Sequence, residues 1–122
     1  MSITTHDRCS VEDMIAAAVG RAVEDGDPVP SIATAADAAL VYRALVAGGI
    51  REDDIDLGHD AMGGLGLTVG DSSAHAWLAF RNNGGRSIGY TEPGKGRTVR
   101  MPPLDRIAAD VLAFLVAARS EA

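Results

Sequence analysis

The sequence predicts an α+β fold, a four-stranded antiparallel meander covered on one face by three helices in the order α-α-β-β-β-β-α. Three observations predict it. Apolar residues recur at a helical period up to the Gly48-Gly49 pair, then at a period of two from residue 63. The alternating runs are joined by short connectors rich in Gly, Asn and Asp. After Pro102-Pro103 the helical period returns. A chain of 122 residues with 47% hydrophobic and 23% charged residues suits one domain over 1–122.

Residues 1–9 read as a flexible lead-in. Ser10-Val11-Glu12-Asp13 then has the form of an N-cap with an acid three residues on. Val11, Met14, Ile15, Ala18, Val19, Ala22 and Val23 line one face of a helix over 11–25. Gly26 and the Asp27-Pro28-Val29-Pro30 run stop it. A second helix opens at Thr34, with Ala38, Val41, Tyr42, Leu45 and Val46 as its stripe and Gly48-Gly49 as its end. Residues 51–56 read as an acidic connector.

The strands follow. Leu65, Leu67 and Val69 alternate with glycine and threonine; Ala76, Leu78 and Phe80 alternate with His75, Trp77, Ala79 and Arg81. Ile88 and Tyr90, then Val99 and Met101, repeat the pattern. Such alternation belongs to a sheet with one covered face. Turn signals at 70–73, 82–85 and 92–96 are short enough to make neighbours antiparallel. A last helix, capped by Asp105, carries the wide apolar face of Ile107, Ala108, Val111, Leu112, Phe114 and Leu115.

The first ten residues hold no apolar core, so no secretion signal is expected. The most apolar run, 107–118, carries Asp110 and falls short of the roughly 20 residues that cross a bilayer. Cys9 is the only cysteine and cannot pair within the chain. Together these point to the cytoplasm and away from membranes.

The motifs of common chemistries are incomplete. Gly89 to Gly96 spells G-x-x-x-x-G-K, but Gly96 replaces the magnesium-binding hydroxyl and a strand pattern follows, so a hairpin is expected. Gly63, Gly64, Gly66 and Gly70 have the wrong spacing for a dinucleotide fold. Asp54, Asp56, Gly58 and Asp60 alternate like a calcium loop, yet His59 and Leu65 stand where glycine and glutamate are needed. His6 and Cys9 lack a second ligand pair, and His59 and His75 read as isolated. No cofactor, metal or catalytic residue is therefore assigned.

Charge is the informative feature. Seventeen acids against eleven bases give a net charge of −6. Residues 1–60 hold four arginines against twelve acids, a net of −8, and residues 61–122 seven bases against five acids, a net of +2. Within 81–100 stand Arg81, Arg86, Lys95, Arg97 and Arg100 against Glu92 alone. By parity Trp77 lies opposite Ala76, Leu78 and Phe80, on the open face. Trp77, Arg81, Arg86, Tyr90, Arg97 and Arg100 are accordingly the candidate partner-binding residues, since tryptophan and arginine anchor interfaces.

The expected function is non-enzymatic binding of another protein, as in small immunity proteins, antitoxins and phage-encoded inhibitors, through this arginine-decorated face or the acidic helices. An alternative is a nucleotide or single-strand nucleic-acid module on the same hairpins, which the net charge disfavours. A second alternative is a small enzyme drawing on His59, His75, Asp60 and Ser72. An exposed edge over 97–101 would also permit a homodimer.

Overall fold

The computed structural model describes residues 10–120, with the side chain of Ser120 left out. The expected lead-in, with His6 and Cys9, lies outside the described residues. Ser10 caps α1 (Val11–Asp25), its hydroxyl accepting from the Asp13 N–H at 3.1 Å. Gly26 closes the helix in the left-handed region at φ 72, where glycine carries no steric penalty.

The second helix, α2 (Ile32–Ala47), begins earlier than expected. Its cap is Ser31, whose hydroxyl accepts from the Thr34 N–H at 3.1 Å. Thr34 is instead buried in the first turn. Both residues can cap a helix, and local sequence does not distinguish them.

The sheet has five strands rather than four: β1 (Ile55–Asp60), β2 (Gly64–Gly70), β3 (His75–Arg81), β4 (Arg86–Glu92) and β5 (Lys95–Arg100). They pair antiparallel in chain order. The added strand is the stretch read as an acidic connector. Ile55, Leu57 and His59 point to the helices, and Asp56, Gly58 and Asp60 to the open face, so solvated acids alternate with core residues. This strand geometry, preceded by a 3-10 turn at Glu52–Asp54, also removes the resemblance of 54–60 to a calcium loop.

The cross-strand register sorts residues into rows on each face. Leu57, Leu67, Leu78, Ile88 and Val99 form the central row beneath the helices. Ile55, Val69, Ala76, Tyr90 and Arg97 form the row beside it. On the open face run Asp56, Thr68, Trp77, Gly89 and Thr98.

Helix α1 packs over β1 and α2 over β2 and β3, with α2 also touching α1 and α3 (Ile107–Ser120). Its central place explains why α2 buries Ala38, Ala39, Val41, Tyr42 and Leu45 around much of its circumference. A 3-10 turn, Leu104–Arg106, leads into α3 and contains Asp105, the residue expected to cap that helix. Among the described residues no helix is long and apolar enough to cross a membrane.

Candidate functional site

Beyond α2 the helical layer thins. Helix α3 meets β4 through Phe114, whose ring centroid lies 4.7 Å from that of Tyr90 at an interplanar angle of 49°. The edge strand β5 extends past this contact and is exposed at every residue but Val99, which is half-buried. Between β4, β5 and α3 opens a groove of about 550 Å³, lined by Ile88, Tyr90, Arg97, Val99, Asp110 and Phe114. A second hollow of about 540 Å³ shares Tyr90, Arg97 and Phe114 and continues to Lys95 at the β4–β5 turn.

The six predicted interface residues do not share one face. Trp77 stands on the open face with 42% of its surface exposed. Arg81 and Arg100 are on that face too. Arg81 is turned toward Asp60, with Nε 3.9 Å from the carboxylate. Tyr90 and Arg97 lie on the helix side, and Tyr90 is only 4% exposed. Arg86, directly across from the core residue Phe80, donates from Nε to the Pro102 carbonyl at 3.1 Å and secures the chain leaving β5.

The expected arginine-decorated open face thus keeps Trp77, Arg81 and Arg100 and loses Arg86, Tyr90 and Arg97 to the helix side. Parity assigns Arg86 and Tyr90 to the same side as Ile88, and Arg97 to the same side as Val99. The depression beside Trp77 on the open face is shallow and acidic, bordered by Thr68, Gly66, Asp56 and Asp60.

The basic groups concentrate instead at the β5 edge. The Arg97 guanidinium sits 4.3 Å from the centre of the Tyr90 ring, a cation–π contact that holds its charge over the groove. Lys95 reaches Glu92 at 3.3 Å across the turn, and Arg100 projects from the far end of β5. Burial of the Tyr90 phenol raises its pKa, Asp110 adds to the rise, and Arg97 opposes it. The phenol is therefore a neutral, apolar-walled group at physiological pH.

Sequence reasoning missed Phe114 and Asp110 as groove residues, because α3 read only as a core helix. The signal was its apolar arc, wider than one helix–sheet contact can cover.

His59, His75, Asp60 and Ser72 do not converge. His59 pairs with Leu65 on the helix side and His75 with Gly70 on the open side, at opposite ends of β2. His59 is nevertheless not isolated. Its Nε2 lies 3.0 Å from Asp27 Oδ2 and 3.4 Å from Asp25 Oδ2, contacts that no local spacing announced.

No protein-family model, curated protein or solved structure matches the chain. Function is therefore argued from these surfaces.

Proposed function

We propose that the chain is a protein-binding module that takes an extended, acidic segment of a partner protein along β5. The observation that carries this reading is the combination of a strand edge that no other strand pairs with among the described residues and the groove beneath it. An edge strand offers a row of backbone donors and acceptors to any added strand. Alternate side chains of that added strand would enter the hollow formed by Tyr90, Val99 and Phe114.

Charge selects the occupant. Lys95 is paired with Glu92, and Asp110 lines the groove, so Arg97 and Arg100 along the strand are the charges that favour glutamate or aspartate on the incoming segment and disfavour a second β5, which would set arginine against arginine. Nucleic acid is a weaker fit. Its bases need exposed aromatic faces, whereas at this edge Tyr90 is buried between Phe114 and Arg97, and the exposed Trp77 lies on the opposite face of the sheet.

The test is an NMR titration of the full chain with a short peptide of alternating glutamate and valine. Shifts confined to β5, Tyr90 and α3, weakened about tenfold or more by Arg97→Glu with Arg100→Glu, are expected (about 1.4 kcal/mol). Tighter binding of a single-stranded oligonucleotide at the same residues would transfer the site to nucleic acid. No shift with either probe would overturn the reading.

A further inference from the structure

At the other edge of the sheet a second constellation has formed, unrelated to the β5 groove. Asp25 is the last residue of α1, and Gly26 turns the chain through its left-handed conformation. The turn is closed by the Asp27 N–H bonding the Ala22 carbonyl at 2.9 Å. It leaves the carboxylates of Asp25 and Asp27 facing β1, the strand beneath α1. From β1, His59 points to the helix side, with only 15% of its side chain exposed.

We propose that Asp25, Asp27 and His59 bind a divalent transition-metal ion, zinc in the first instance. One ligand atom from each residue lies within 4.8 Å of the others. A tetrahedral zinc ion with bonds of about 2.0–2.1 Å sets its ligand atoms about 3.3 Å apart. The separations of Nε2 from the two carboxylate oxygens, 3.0 and 3.4 Å, bracket that spacing, and the two carboxylates, within 4.8 Å of one another, close onto the ion by side-chain rotation of the exposed Asp25.

Both oxygens converge on the same ring nitrogen. A proton on Nε2 lies in the ring plane and can be aimed well at one acceptor, whereas an ion placed among the three groups satisfies both carboxylates together. Two carboxylates and a neutral imidazole supply the charge that a dication needs. The nitrogen donor favours zinc or cobalt over calcium or magnesium, which prefer all-oxygen shells. Three protein ligands leave a fourth position for water or for a group brought by a partner.

The site would fasten the end of α1 to β1. It is tested on the full chain, stripped with a chelator and titrated with zinc by calorimetry. A single ion per chain is expected, with binding lost in His59→Gln and in Asp27→Asn, both checked for folding by circular dichroism. Asp25→Asn, at an exposed position, serves if either of these fails to fold. Cobalt should give the intense visible absorption of a tetrahedral site in the parent chain and not in the variants.

Absence of stoichiometric zinc binding would overturn the proposal. So would binding unchanged in the variants, which would place the ion on other ligands such as His6 and Cys9. Equal binding of calcium would reject the transition-metal assignment. None of these outcomes bears on the peptide titration, which reads the opposite edge of the sheet.

Discussion

Asn82 lies in the β3–β4 turn, and its amide reaches three groups of the α1–α2 connection and the start of α2. Oδ1 accepts from the Ser31 N–H at 2.8 Å and from the Thr34 hydroxyl at 3.1 Å. Nδ2 donates to the Val29 carbonyl at 2.9 Å. Thr34 is buried and its hydroxyl also accepts from Ser31 Oγ at 2.9 Å, so removing Asn82 breaks three bonds of a poorly solvated clamp without stripping that hydroxyl bare. Asn82→Ala should therefore cost about 1–3 kcal/mol, read as a lower urea midpoint at unchanged slope. Asn82→Asp keeps the acceptor for Ser31 and Thr34 but sets a carboxylate oxygen against the Val29 carbonyl, so it too should lower the midpoint. An unchanged midpoint in the alanine variant would show that the clamp contributes nothing. The same contact explains why Ser31, rather than Thr34, caps α2: Asn82 holds the Ser31 N–H from a distant turn.

Among the elements, the strands differ in how completely the helices cover them. Along the central row, Leu67 and Leu78 are fully buried, while Val99 on β5 is only half-buried. Leu78→Ala should cost about 3–4 kcal/mol, since it removes a side chain from a filled interior. Val99→Ala should cost under about 1 kcal/mol, because solvent already reaches that position. Denaturant unfolding of the two variants checks the gradient, and equal losses would mean that β5 is covered as well as β3. Legibility in the sequence follows the same gradient. Strands β2 and β3 were readable because burial on one face forces strict alternation of apolar residues. Strand β1 was not, since Asp56 and Asp60 sit on its open face and His59 on its covered one. A run of acids resembles a connector until pairing with β2 supplies the missing half of the pattern.

For the whole molecule, the acidic helical half and the basic β5 edge divide the charge along the sheet. Lys95, Arg97 and Arg100 guard an edge that would otherwise template a second copy. The parent chain should sediment as a monomer at concentrations where Arg97→Thr with Arg100→Thr begins to form dimers. Dimers of equal strength in both would mean that charge is not what keeps the edge free. Trp77 was placed by parity alone, and parity also separates Tyr90 and Arg97 from it. The candidate patch mixes the two faces because residues adjacent in a strand point to opposite sides of the sheet.

Periodicity, capping residues and turn chemistry act over a few neighbouring residues, so the helices, four of the five strands and the antiparallel order were already written in the linear chain. The groove under β5 and the meeting of Asp25 and Asp27 with His59 were not. They depend on strand register and on where each helix docks, and those are decided by packing between distant segments, Tyr90 with Phe114 and Asp27 with His59. Only the packed structure could bring such groups within bonding distance.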